Sequence, residues 1–235
     1  MKKIKLFCLP YAGGSSTMFM KWKTKLSSRI ELTPIELSGR GSRINEECFN
    51  NFDCMMDDIV YNVVRKLDQG TQFSLLGHSM GCLLAFELYY RLKDLGYSAT
   101  HVFLLGNHAP HEMNNEKKID LFSEEALLNK LTAYGEEICM IMEDEEIKAF
   151  FLPIIRSDFE VLQSYKYRKY RKKIECECTI INGNKDLSIA DYNLDDWRAY
   201  ISSSCCCYFE TIPGGHFFVQ DKYEDVVNIV NKRIG

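Results

Sequence analysis

No apolar run in this 235-residue sequence approaches the roughly 20 residues that a membrane-spanning helix requires, so no membrane span is expected. Basic excess is equally absent: 29 Lys and Arg stand against 33 Asp and Glu, for a net charge of -4. That balance disfavours nucleic acid or an anionic membrane as partner, since either would select a basic face. The apolar stretch Ile4 to Pro10 follows two lysines, but no small-residue cleavage site comes after it. It reads as a first strand and not as an export signal, and a cytoplasmic location is expected. There is no internal repeat, no low-complexity linker and no stretch of disorder-prone composition. A phosphate-binding loop is missing too, because Gly13-Gly14 is not followed by Gly-Lys-Ser/Thr.

Cysteine, by contrast, is plentiful, with ten residues in a chain that is 46% hydrophobic. Cys8, Cys82, Cys176 and Cys178 sit in apolar segments, and Cys205, Cys206 and Cys207 are consecutive, so on a strand they cannot share one partner. In a chain with a core of its own and no export signal, reduced and mostly buried thiols are expected. Cys176-Glu177-Cys178 lacks the second spaced pair of a zinc site. His108 and His111 flank Pro110, but no third ligand is evident in the sequence. No metal and no cofactor is expected.

The chain suits one α/β domain over residues 1–235. Strands are expected at Lys3 to Leu9, Ile30 to Leu37 (broken by Pro34), Phe73 to Leu76, His101 to Leu105, Cys176 to Ile181 and Cys205 to Ile212. Helices are expected at Thr17 to Leu26, Phe52 to Leu67, Met80 to Leu95 and Lys222 to Ile234. This alternation predicts a mostly parallel sheet flanked by helices. From about Ala109 to Arg171 the rhythm stops and only helical pattern remains, including Glu124 to Ala133 and Glu143 to Tyr165. That block is an insertion between two sheet strands. The basic run Lys166 to Lys173, interleaved with tyrosines, reads as a solvated connection or as a docking surface for an acidic partner.

One motif carries chemistry. Gly77-His78-Ser79-Met80-Gly81 follows the strand Phe73 to Leu76 and opens the helix from Met80. G-x-S-x-G alone is frequent; a strand before it and a helix after it make it a nucleophile elbow. The helix N-terminus behind Ser79 offers free N–H groups to a developing oxyanion. A serine hydroxyl needs a base, and His216 in Pro213-Gly214-Gly215-His216, between the last strand and the last helix, is best placed. His78 adjoins the serine and reads as structural. The acid of such a site lies between serine and histidine in sequence. Asp186, leaving the strand Ile180-Ile181 through Asn182-Gly183-Asn184-Lys185, is favoured over Asp191, Asp195 and Asp196. The first oxyanion donor is then the N–H of Met80. The second is an N–H of the loop Pro10-Tyr11-Ala12-Gly13-Gly14, at Ala12 or Tyr11, although Gly-Gly after a strand also suits a plain turn.

These segments together resemble one family. LFCLPYAGGSSTMFMKW, LLGHSMGCLLAFEL, FFLPIIRSDFEVLQSY, INGNKD and IPGGHFF are similar to the type II thioesterases that accompany nonribosomal peptide and polyketide synthetases, over nearly the whole chain. The resemblance implies an α/β-hydrolase fold, Ser79, Asp186 and His216 as triad, and the backbone of Ala12 and Met80 as oxyanion hole. It implies a helical lid formed by residues 109–171, whose Leu121, Phe122, Leu127, Leu131, Met140, Met142, Phe150, Phe151 and Leu152 are mostly lid core. It implies as substrate an acyl–phosphopantetheine thioester on a separate acyl or peptidyl carrier protein, and an editing role that clears stalled or aberrant acyl groups. One departure is Leu37-Ser38-Gly39-Arg40-Gly41, where the family has a Pro-Gly-Arg-Gly type of segment. Rival readings are an acyltransferase or product-releasing esterase with the same triad, and a carrier-binding regulator without turnover. An intact serine, base and acid argue against the last.

Overall fold

Six short apolar segments pair into one sheet. They are β1 (Ile4–Leu9), β2 (Ile30–Pro34), β3 (Phe73–His78), β4 (His101–Leu105), β5 (Glu177–Gly183) and β6 (Cys207–Ile212). Their order is β2-β1-β3-β4-β5-β6 and every pairing is parallel. The computed structural model describes residues 3–114, 118–135, 144–169 and 172–235. The central strands β3 and β4 are buried at every residue, as parallel strands covered on both faces must be.

Side chains on a strand alternate between faces, and the two faces carry separate cores. Phe7, Leu9, Phe73 and Leu75 pack against Met55 and Ile59 of α1 (Phe52–Val64) and Leu84 and Leu88 of α2 (Met80–Asp94). Leu6, Cys8, Leu76 and Phe103 pack on the other face against Phe19, Trp22 and the valines of a late helix. That helix follows a short one: α5 spans Phe218–Asp221 and α6 Tyr223–Ile234. Between β4 and β5 lie α3 (Glu124–Thr132) and α4 (Glu145–Ser164), and no strand occurs there among the described residues.

Where expectation and structure differ, the reasons are local. The segment expected as a helix at Thr17 to Leu26 is a run of 3-10 turns, Ser16–Thr24. Its buried Phe19 and Trp22, three apart, lie on one face at that pitch and meet edge-on at 5.2 Å. β2 stops at Pro34, short of Leu37, with one further bond from the Ile35 N–H to the Cys8 carbonyl at 2.9 Å. β6 starts at Cys207, leaving Cys205 and Cys206 in the preceding turn. All nine described cysteines are free thiols, and burial raises the pKa of Cys8 and Cys82.

The insertion has a core of its own, formed by Leu121, Leu127, Leu131, Leu152, Ile155 and Phe159. Phe122, Phe150 and Phe151 do not join it and are exposed. On α4 the inward face carries Leu152, Ile155 and Phe159 at helical spacing, which turns Phe150 outward and leaves Phe151 at the edge of that face, 37% exposed. Met140, Met142, Tyr170 and Arg171 lie outside the described residues. α4 is anchored to the rest of the molecule: Ser157 Oγ donates to the Phe49 carbonyl at 2.5 Å, and Ser164 Oγ accepts from the Phe52 N–H at 2.8 Å. No helix among the described residues is long and apolar enough to cross a membrane.

Candidate active site

Ser79 stands at the abrupt junction of β3 and α2. Its φ of 56° makes it the one non-glycine residue with positive φ among the described residues, and its ψ is -117°. This conformation is almost reserved for glycine and costs on the order of 1–3 kcal/mol. Close packing imposes it. A Cβ on Gly77 would come within 1.8 Å of the Gly81 carbonyl oxygen, and one on Gly81 within 2.2 Å of the Leu9 carbonyl oxygen. The turn is thus wedged against the end of β1 and only glycines fit beside the serine. Ser79 is also the residue preceding α2, yet its side chain makes no capping hydrogen bond. Its hydroxyl is directed to a histidine instead.

That histidine is His216, whose Nε2 lies 2.9 Å from Ser79 Oγ while Nδ1 lies 2.8 Å from Asp186 Oδ2. His216 follows β6 and Asp186 follows β5, so two neighbouring strand ends deliver both to the elbow of β3. Both are buried. Burial alone would raise the Asp186 pKa, but hydrogen bonds from His216 and Ser188 outweigh it and hold the carboxyl below its ordinary value. Of the competing aspartates, Asp195 accepts from Arg198 at 3.1 Å and Asp196 from Asn193 at 3.1 Å; the fold brings neither to His216.

Two supporting groups, Ser188 and Asn107, were not anticipated. Ser188 donates its N–H (3.0 Å) and hydroxyl (2.6 Å) to Asp186 Oδ1, and the hydroxyl lies 3.0 Å from His216 Nδ1. The signal in the sequence is the Asp-x-Ser spacing of a capping turn, with Asp186 preceding the 3-10 turn Leu187–Ile189. Asn107 Nδ2 donates to the Ser79 carbonyl at 3.0 Å. His78 is structural, as read from its position. Burial, with neighbouring His216, lowers its pKa to about 3, so it is neutral. Its Nε2–H donates to the His216 carbonyl at 2.8 Å, and Nδ1 has no partner among the described residues. His111 and His108 part company: His111 engages Glu112 at 3.2 Å, Asp196 at 3.6 Å and the Tyr200 hydroxyl at 2.8 Å, whereas His108 Nδ1 meets the Ala109 carbonyl at 3.1 Å.

Ser79 opens onto two unequal spaces. The larger, about 500 Å³, is bordered by Met80, Asn107, Gln163, Lys118, Lys130 and Lys166 among others, and by no Asp or Glu among the described residues. The smaller, about 20 Å³, is bordered by Tyr11, Ala12, Leu131 and Phe217. Ser79, His216, Tyr134, Phe159 and Leu162 border both. The Tyr134 ring lies 4.7 Å from the His216 ring.

A parallel sheet of this order, with a serine elbow after β3 and a histidine after β6, defines an α/β-hydrolase. Within that class the chain belongs to the thioesterase family: the family model described as "Thioesterase domain" matches residues 4–234. It is 29% identical over 235 residues to the gramicidin S biosynthesis protein GrsT of Aneurinibacillus migulanus, covering 99% of this chain and 89% of that one. ClbQ from the colibactin NRPS/PKS pathway superposes with a TM-score of 0.87 at 28% identity, over 99% of this chain and 97% of that chain. The type II thioesterase BorB from the borrelidin biosynthetic cluster does so at 0.85 and 26%, over 99% and 93%. The protein is a thioester hydrolase of the type II thioesterase kind, as the motifs of its sequence implied.

Proposed function

We propose that Ser79, His216 and Asp186 are the catalytic triad of this hydrolase, and that its substrate is an acyl group carried on the phosphopantetheine arm of a separate carrier protein. The observation that carries the triad is the unbroken chain of contacts from Ser79 Oγ through His216 to Asp186, at 2.9 and 2.8 Å, on a strained elbow. Ser79 attacks the thioester carbonyl as His216 Nε2 takes its proton, and Asp186 fixes the tautomer and stabilises the imidazolium. The N–H groups of Met80, a residue bordering the larger space, and Ala12, a residue bordering the smaller one, receive the oxyanion. The proton passes from His216 to the departing thiolate. Water, deprotonated by His216, then attacks the acyl-serine and releases the free acid.

The carrier rests on kinship with type II thioesterases and on the lining of the larger space. Three lysines and no described carboxylate suit the phosphate of a pantetheine arm. The biological role is editing of stalled or aberrant acyl groups in nonribosomal peptide or polyketide assembly, in the cytoplasm. Residues 109–171 form the lid of one domain spanning residues 1–235, and the half bearing α3 is the part free to move, given the anchors on α4. Transfer to an acceptor other than water would use the same triad. The test is thiol release from an acyl-loaded carrier by the parent and by Ser79→Ala, with amines and alcohols added as rival acceptors. Release by the parent and its loss in the variant support the reading. An acyl-amine or acyl-alcohol product in place of free acid would make the protein a transferase.

A further inference from the structure

Residues Tyr11 to Gly14 form a four-residue turn, closed by the Gly14 N–H donating to the Tyr11 carbonyl at 2.9 Å. Gly13 is its third residue and has φ +81°, the value of a type II turn at that position. Type I and type II turns differ by a flip of the central peptide, so an acceptor on one side of the Gly13 N–H decides between them. That acceptor is Asp158 Oδ2, at 2.7 Å. Asp158 belongs to α4, 145 residues away in the sequence. Arg40 holds the carboxylate from behind with two prongs, Nη1 to Oδ2 at 2.5 Å and Nη2 to Oδ1 at 2.7 Å. Its Nε donates to the Ser38 carbonyl at 3.2 Å, and Nη1 lies 3.4 Å from the Gly14 carbonyl oxygen. The two side chains are 3% and 0% exposed. Ile155, just short of one helical turn earlier, sits so close that a Cβ on Gly13 would meet its Cγ1 at 2.7 Å. Helix α4 is therefore seated directly on the turn.

A buried ion pair is a poor source of stability, because desolvation offsets the attraction and apolar replacements often serve as well. Its placement against a single backbone N–H says what this one does. We infer that Asp158, braced by Arg40, is a positioning residue: by accepting from the Gly13 N–H it anchors the whole Tyr11–Gly14 turn against α4, and so fixes where the adjacent Ala12 N–H stands relative to the reacting oxygen. The inference rests on the triad and oxyanion assignment proposed above.

The experiment removes the charge from both sides and varies only the acceptor. In an Arg40→Met background, Asp158→Asn keeps an oxygen for the Gly13 N–H, whereas Asp158→Leu and Asp158→Ala remove it. Thermal unfolding identifies which variants are folded, and the alanine variant stands in if leucine does not fit. Two rates are read: kcat on a small soluble thioester, and the second-order rate at which a fluorophosphonate modifies Ser79. Displacing one oxyanion donor without removing it should lower both by about 10- to 100-fold in the acceptor-less variants, with KM within about twofold of the parent. The Asp158→Asn variant should stay within a few fold of the parent. Equal rates for the Asn variant and its acceptor-less counterparts, whether fast or slow, would overturn the inference, as would a loss confined to KM. Ser79→Ala separates the two levels: if it abolishes labelling while the acceptor-less variants label at the parent rate, the triad stands and the positioning role falls.

Discussion

The strain at Ser79 can be measured by comparing two variants that lack its hydroxyl. Ser79→Ala removes the hydroxyl and its contact with His216 but keeps a Cβ at φ 56°, ψ -117°. Ser79→Gly removes the same contact and the Cβ as well. Loss of the hydrogen bond, about 0.5–1.5 kcal/mol, is common to both and cancels. What differs is release of about 1–3 kcal/mol of backbone strain, offset by about 0.4–1 kcal/mol for the greater freedom of an unfolded glycine. The glycine variant should therefore be the more stable by about 1 kcal/mol, reversing the usual order in which alanine is better by about 0.5–1 kcal/mol. For a domain of this size the gap corresponds to about 2–4 °C in the unfolding midpoint. Paired thermal melts and urea titrations of the two variants read it, with no complication from turnover. An alanine variant as stable as the glycine variant, or more so, would show that the elbow stores no strain.

The remaining predictions concern the acid, pH, the lid and the partition. Asp186→Asn should lower kcat by several orders of magnitude while Asp191→Asn and Asp195→Asn stay near the parent; the opposite pattern in steady-state assays would show that another aspartate orients His216. Burial lowers the pKa of His78 to about 3, and burial with the nearby Arg233 charge does the same to His101. Between pH 6.5 and 3 the unfolded chain thus binds two protons that the native state does not. Stability should fall on acidification by up to about 2.7 kcal/mol per pH unit from these two groups. Asp186, whose pKa is depressed, adds a loss below about pH 4. Urea midpoints against pH should show about half that histidine slope in His101→Gln; an unchanged slope removes the assignment. Amide hydrogen exchange should be faster in α3 than in anchored α4, and an acyl-carrier mimic should slow it; uniform protection across both would remove the moving lid. Charge reversal at exposed Lys172 and Lys173 should raise KM for a carrier-bound substrate and spare a small soluble one. Arg168 is less available, being paired with Asp53 at 3.2 Å. Tyr134→Ala should merge the two spaces beside Ser79 and raise kcat/KM for longer acyl chains relative to short ones; an unchanged chain-length profile would show that the ring is no wall.

The elbow was legible because its chemistry is local: glycines two residues either side of a serine, at a strand-to-helix junction, leave few other conformations. His216 and Asp186 were legible because each leaves the sheet at the end of an apolar strand through a glycine-containing turn. The Arg40–Asp158 pair was not, since its members are 118 residues apart and neither lies in a pattern that fixes its partner. Ser188 was missed because a serine after an aspartate is common in turns, and only the arrival of His216 gives it a second neighbour. Which apolar side chains of α4 would face inward was not legible, because apolar character alone does not say which face of the helix meets the molecule; the position of Phe159 against α3 decides that.

The spacing of the proposed triad also bears on the time order of folding. Ser79 and His216 are separated by 137 residues, and the strands that present Asp186 and His216 are added on one side of the pair β3 and β4. Contacts of such long range form slowly, after local helices and the nearer strand pairs have cut the entropy of closing the loop. Recovery of reactivity toward a serine-directed probe should therefore trail the recovery of helical signal in a refolding experiment. A probe that labels Ser79 then serves as a clock for the docking of β5 and β6.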